Sequence, residues 1–188
     1  EYFSLTWKNE SMPGAVFLEG DKVNLRTIEE EDLEFTRDNI NDQNVWNYLT
    51  LRKPKNFRQQ EEYFEEGVSS DENVTLAICV EEEIIGIVSL EDVEQDVRTA
   101  DIGIWISTDH HGNGYGTEAA EIITNYGFNE LNYHRIYARA NEDNIGSQKI
   151  WKKLGFQEDG VLREQTFNEG EFKDIHIYGI LEHEWRNQ

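Results

Sequence analysis

One cysteine, Cys79, and two prolines, Pro13 and Pro54, are all that the 188 residues hold of either type. A lone cysteine excludes an intrachain disulfide and fits a thiol-reducing compartment, so a cytoplasmic protein is expected. With so little proline and no low-complexity stretch, nothing reads as an interdomain linker. No apolar run nears the roughly 20 residues that span a bilayer. The first residues lack the basic-then-apolar order of a secretory signal, and no membrane partner is expected. Met12 is the single methionine. Residues 1–11, which precede it, are read as an upstream segment outside the fold, and 12–188 as one domain.

Positive charge is scarce as well. Lys and Arg number 17 against 39 Asp and Glu, a net charge of −22. Phosphate backbones need a basic surface, so no nucleic-acid partner is expected. Two readings of the acidity stand: steering of a basic substrate by a negative field, or acidification of the whole surface, as suits a salty milieu. Acidic clusters fall in separate elements, "EEEDLE", "EEYFEE" and Glu81–Glu83, which favours the second. Hydrophobic residues at 37% and aromatics at 12% still supply a core.

"KVNLRTI" alternates as a strand, and "TIEEEDLEFTRDNI" follows as a helix with Thr27 at its N-cap. "FRQQEEYFEEGVSS" reads as a second helix ended by Gly67. "VTLAICV" and "IIGIVSL" form a hairpin across Glu81–Glu83. "RTADIGIWIS" is the next strand, Thr117–Leu131 a helix, and "HRIYARA" a strand. "NIGSQKIWKKLGF" is a helix stopped by Gly155, and "GVLREQTF" and "FKDIHIYGIL" close as a hairpin. The order predicts one α/β (α+β) domain with a mixed sheet of about seven strands and about four helices.

Between a strand and a helix lies "TDHHGNGYGTEAA", with Gly112, Gly114 and Gly116 at alternate positions. Such a turn exposes backbone N–H groups at a helix N-terminus, where the dipole adds roughly half a positive charge, so phosphate or pyrophosphate suits it. A plain tight turn is the competing reading. A nucleotide-triphosphate loop needs Lys-Ser/Thr after the last glycine, and Thr117-Glu118 stands there. A dinucleotide fingerprint needs a wider third spacing near the first strand, which disfavours an oxidoreductase.

"HHGNGYGTEA" resembles the acyl-CoA loop of the GNAT acetyltransferases, Arg/Gln-x-x-Gly-x-Gly/Ala, with Gly114 and Gly116 in the small positions and His111 replacing Arg/Gln. "NIGSQKIWKKLGF" resembles the same family's Asn-x-x-Ser…Lys-x-Gly-Phe block through Asn144, Ser147, Lys153, Gly155 and Phe156. "VNLRTIEEEDLE", "NVWNYLT" and the tail "GVLRE…FKDIHIYGILEHEW" are similar to its RimJ/RimL-like branch, so the likeness spans about residues 21–185.

The resemblance implies a GNAT-like sheet whose strands Asp101–Ser107 and His134–Ala140 part in a V that takes acetyl-CoA, the co-substrate. Pantetheine would pair with backbone at Ile104 and Ile106. Pyrophosphate would lie on N–H groups of His111, Gly112, Asn113, Gly114, Tyr115, Gly116 and Thr117. Asn144 would contact the cofactor near its acetyl end, or else turn the chain into the helix. Many members use a tyrosine four residues after the serine as acid; Trp151 stands there, and the RimL-like alternative is Ser147 itself, unless Ser147 caps the helix. Asp101 and Asp159 are the candidate bases, against solvated surface or a water relay. Trp46, Tyr48 and Phe57 belong to the segment lining the acceptor mouth. His110, His111 and His134 have no metal-site spacing, and no metal is expected.

The implied activity is transfer of acetyl from acetyl-CoA to a primary amine: a protein N-terminus, an amino acid or a small polyamine-like molecule. A non-catalytic acyl-CoA-binding module is the alternative. The apolar "DIHIYGIL" adds a homodimer to the expectations.

Overall fold

The computed structural model describes residues 14–49, 51–71 and 73–188, with the backbone but not the side chains of 92–95. The upstream segment 1–11 lies outside the described residues.

Strands β1 (Val16–Leu18), β2 (Asn24–Arg26), β3 (Asn73–Val80), β4 (Glu83–Glu94), β5 (Thr99–Ile106), β6 (Arg135–Asn141), β7 (Gln157–Asn168) and β8 (Glu171–Leu181) make one sheet. Its order is β1-β2-β3-β4-β5-β6-β8-β7. Among the described residues only β5 and β6 are parallel, joined by α4 (Tyr115–Asn129). The helices α1 (Leu33–Ile40), α2 (Gln43–Trp46) and α3 (Phe57–Tyr63) lie between β2 and β3. Helix α5 (Ile145–Lys153) links β6 to β7, and α6 (Glu182–Arg186) ends the chain.

Both faces of the central strands are covered, which is why "VTLAICV" is almost unbroken in hydrophobicity. Leu76 and Ile78 pack with Ile102, Ile123, Ile136, Trp151 and Tyr178 in the core under α4 and α5. Their neighbours Ala77 and Cys79 point the other way, packing with Ile28, Ile87, Phe64 and Trp105. Cys79 accepts a hydrogen bond from Arg26 Nε at 2.9 Å, and burial pushes its thiol above the ordinary value.

The sheet has one strand more than expected, and α2 and α6 are additional helices. All three are short, and Val16 and Phe17 of β1 are exposed, so no alternation marks them. Helix α1 begins later than predicted. Thr27 does not cap it; a 3-10 turn at Glu30–Asp32 intervenes, with Glu29 N–H donating to Asp32 Oδ2. Asp32 is held by a buried bidentate pair with Arg26, both contacts 2.9 Å. Breaking one partner of such a pair costs roughly 3–5 kcal/mol, which outweighs a cap worth about 1 kcal/mol. The apolar "DIHIYGIL" is explained within the chain, since β8 lies between β6 and β7 rather than at an edge. No helix among the described residues is long and apolar enough to cross a membrane.

Candidate active site

The only parallel pairing among the described residues is brief. Strands β5 and β6 register from Thr99–Asp101 against Arg135–Tyr137, and there the pairing stops. Beyond it β5 stays with β4 as far as Ile106↔Gly86, and β6 stays with β8 as far as Asn141↔Ile175. Each strand follows its own half-sheet, so the two part in a V with its apex at Asp101 and Tyr137. The facing edges, Ile102–Ile106 and Ala138–Asn141, offer backbone donors and acceptors to an extended amide chain, as in strand addition. A cavity of about 620 Å³ adjoins the β5 side of this opening. Ile104 and Ile106, the glycine loop, α5, Val45 of α2 and Tyr48 line it.

The loop owes its shape to two glycines. Gly112 has φ +81° and Gly114 φ +83°, left-handed values that strain other residues. Gly114 is the N-cap of α4 and no side chain caps that helix, so its first N–H groups are left for another acceptor. His111 differs from the arginine or glutamine it replaces. Its Nε2–H donates to the Ile106 carbonyl at 2.8 Å, which turns the ring back onto β5. Asn113 likewise turns inward, its amide donating to the His110 and His111 carbonyls at 3.2 and 3.3 Å. Of the residues expected around the cofactor, Asn113 alone does not line the cavity.

Three lysines surround this loop. Lys22 Nζ donates to the Asn113 carbonyl at 3.4 Å, while Lys22 N–H donates to Glu118 Oε1 at 2.7 Å. Lys149 and Lys153 line the cavity from one face of α5. Lys153, Gly114 and Thr117 also border an outer cleft of about 850 Å³ that includes Lys22. Asp21, Glu118 and Glu121 share the outer cleft and Asp143 the cavity, so the lysines stand among carboxylates. Lys149 and Lys153 stand at i,i+4 in the motif, a spacing that could have flagged them. Lys22 lies 91 residues from its contact, and no local pattern points to it.

At the start of α5, Asn144 is the N-cap and Ser147 is not. Asn144 Oδ1 accepts from Ser147 N at 3.1 Å. Ser147 Oγ accepts from the indole of Trp151, one turn on, at 2.9 Å. Ser147 and Asn144 both face the cavity.

The two candidate bases stand elsewhere. Asp101 is buried at the V apex, opposite Glu91 on β4 and Tyr137 on β6. Alternation along β5 puts it on the same side as Trp105, away from α4. Its Oδ2 pairs with Arg139 at 2.5 Å. Burial pushes its carboxyl above the ordinary value, Arg139 offsets part of that, and Glu91 adds to it. Asp159 sits on β7, three strands away, paired to Arg135 at 2.6 Å, and the Arg135 guanidinium lies over the Tyr137 ring. Neither aspartate lines the loop cavity. Glu91 carries no motif and was legible only once the β4–β5 register was known. In the expected mouth segment, Tyr48 lines the cavity, whereas Trp46 and Phe57 do not.

A sequence profile described as "Acetyltransferase (GNAT) domain" matches residues 22–157. The chain belongs to the GNAT acetyltransferase family.

Spermidine N(1)-acetyltransferase of Escherichia coli K12 is 26% identical over 163 residues, covering 87% of this chain and 88% of that protein. The Vibrio cholerae enzyme of the same name is 27% identical over 170 residues, covering 89% and 97%. A crystal structure of spermidine N-acetyltransferase from Vibrio cholerae, in complex with CoA and spermine, superposes with a TM-score of 0.83. It has 25% identity and covers 89% of this chain and all of that one.

This GNAT domain is an N-acetyltransferase that uses acetyl-CoA as co-substrate and an amine as acceptor. The donor set fits such a thioester. Open strand edges suit the amides of its extended arm, and an uncapped helix terminus ringed by lysines suits its phosphates.

Proposed function

We propose that the chain acetylates a small polycationic amine of the spermidine class, at the apex of the V. The observation that carries this reading is the carboxylate pair Glu91 and Asp101, opposite one another across β4 and β5 on the side of the sheet away from α4. A diamine or longer polyamine needs a negative site to bind its distal ammonium and a base to deprotonate the amine that reacts. The polyamine-acetylating relatives support the same acceptor class.

Acetyl-CoA enters the V with its amides against Ile104 and Ile106. Its pyrophosphate lies on the N–H groups of the Gly112–Thr117 turn, with Lys22, Lys149 and Lys153 supplying the positive field. A primary amine is mostly protonated near neutral pH and must lose a proton before it attacks. Asp101, its proton affinity raised by burial, takes that proton. The amine nitrogen then bonds to the thioester carbonyl carbon and the C–S bond breaks. Ser147 donates a hydrogen bond to the departing sulfur. The ammonium gives up two protons in all: the first, taken by Asp101, passes to solvent, and the second, lost from the nitrogen once it has bonded to carbon, ends on the free thiol. Asp159, tied to Arg135 and three strands away, has no part in this scheme. The RimJ/RimL-like character read from "VNLRTIEEEDLE", "NVWNYLT" and the tail belongs to the same proposal, with Ser147 in place of the usual tyrosine.

The test is thiol release from acetyl-CoA with a panel of spermidine, spermine, free amino acids and peptides with free N-termini. Spermidine or spermine is expected to give a kcat/KM at least tenfold above the others. A preference for peptide N-termini would overturn the acceptor assignment.

A further inference from the structure

Trp151 occupies the position from which a tyrosine serves as acid in many relatives, yet an indole N–H does not titrate in the working range. It donates and cannot accept. The side chain is 1% exposed and belongs to the core under α4 and α5. One polar contact departs from that apolar setting: Nε1–H donates to Ser147 Oγ at 2.9 Å. The two residues stand one turn apart on the same helix face, and Phe156 packs against the indole with ring centroids 5.2 Å apart. The ring is therefore held in place by its surroundings, and its N–H has a fixed direction.

A hydroxyl has one proton and two lone pairs. Facing a group that only donates, Ser147 must accept, and its own proton is turned away from Trp151. Ser147 N–H is bound by Asn144 Oδ1, so the backbone that carries the hydroxyl is fixed too. Ser147 lines the cavity bounded by the end of β5, the glycine loop and the start of α5. We propose that Trp151 is a positioning residue, whose indole N–H orients the Ser147 hydroxyl so that its proton points to the departing thioester sulfur. The indole also withdraws electron density from Oγ, which makes that hydroxyl a better donor. The tryptophan takes over the tyrosine's place by acting through the serine. This inference rests on Ser147 being the donor to sulfur; no group is transferred to or from Trp151.

The experiment is a double-mutant cycle on the full chain with Trp151→Phe and Ser147→Ala, reading kcat, the KM for acetyl-CoA, and CoA affinity by calorimetry. Phenylalanine keeps most of the packing and removes the N–H. Trp151→Phe is expected to lower kcat about 5- to 10-fold, the size of one lost hydrogen bond, with KM and CoA affinity unchanged. In the Ser147→Ala background it should have no further effect. An equal loss in both backgrounds would mean that Trp151 acts only through packing and would overturn the proposal. Full activity of Trp151→Phe beside an impaired Ser147→Ala would overturn it too, while leaving the serine as donor. A fully active Ser147→Ala would instead remove the underlying role of the serine.

A second measurement leaves Trp151 intact, in case Trp151→Phe does not fold. In 15N spectra of the tryptophan indoles, Ser147→Ala should move one N–H proton upfield and speed its exchange with solvent. Unchanged indole signals would show that the hydrogen bond does not form, and the proposal would fall.

Discussion

Asp101 shows how far single residues can be weighed by their surroundings. It is one of two buried carboxylates among the described residues, the other being Asp32, and each has an arginine partner. Asp32 lies in a doubly bonded pair with the buried Arg26. Asp101 meets Arg139, whose side chain is half exposed, so water weakens the pairing and burial wins. A carboxyl whose folded proton affinity exceeds its unfolded one stabilises fully below the ordinary carboxylate range. That contribution is lost as pH rises through the folded value. Asp101→Asn should therefore melt higher than the parent at neutral pH, and the difference should vanish in acid. Its kcat/KM should fall at least about 100-fold if Asp101 is the base. Melting scans and rates across pH 4 to 9 check both. An active Asp101→Asn would sink the base assignment, and a variant that melts lower at neutral pH would sink the burial argument.

At this scale the sequence marked chemistry by type and spacing, and partners by neither. Asn144, Ser147 and Trp151 sit in one short motif, so their joint position on α5 was legible. The hydrogen bond that makes Trp151 a partner of Ser147, and not a missing tyrosine, depends on side-chain directions within the folded core. Lys22 reaches the glycine loop from the other end of the chain, and Asp159 was separated from Asp101 by a strand order, β5-β6-β8-β7, that local patterns do not specify.

Among the elements, the glycine loop was the most legible, because its requirement is steric. Left-handed φ at Gly112 and Gly114 and an open N-terminus of α4 demand residues without Cβ, and the chain supplies them. The parting of β5 and β6 was legible only through family resemblance. Nothing in "IGIWIS" or "RIYARA" says that their pairing stops after three residues. Short pieces such as β1 and α2 escaped for want of any periodicity. The loop carries its own prediction. A Cβ at Gly114 would meet only the flexible end of Lys22, at 3.2 Å, so the strain of Gly114→Ala is mainly in the backbone. Left-handed alanine costs roughly 1–2 kcal/mol, which a marginally stable domain survives. The KM for acetyl-CoA should rise about tenfold with a much smaller change in kcat, because the N–H groups proposed to hold phosphate are displaced while the apex is untouched. Steady-state kinetics with varied acetyl-CoA decide it. Loss of kcat at unchanged KM would mean that the loop does not hold the phosphates.

For the whole molecule, the charge of −22 poses the question of where the surplus resides. The buried carboxylates among the described residues are both paired, so among those residues the unpaired excess lies on the surface. Surface carboxylates repel one another over distances comparable to the screening length, about 10 Å at 0.1 M salt and 3 Å at 1 M. Screening should raise the melting temperature by several degrees between 0.05 and 1 M KCl. Most of the gain should come below about 0.5 M, where the screening length changes fastest. An equal osmolality of sucrose separates this from solvent exclusion, since sucrose leaves the charges unscreened. A rise that continued linearly into molar KCl would point to specific cation binding at the surface, and indifference to salt would mean that the repulsion is negligible. The same titration separates the two readings of the acidity. If the negative field also draws a polycationic acceptor to Glu91 and Asp101, the KM for spermidine should climb with KCl while the protein becomes more stable. Steering and binding weaken with screening, whereas self-repulsion is relieved by it. A KM that stayed flat as stability rose would assign the acidic surface to the milieu rather than to the substrate.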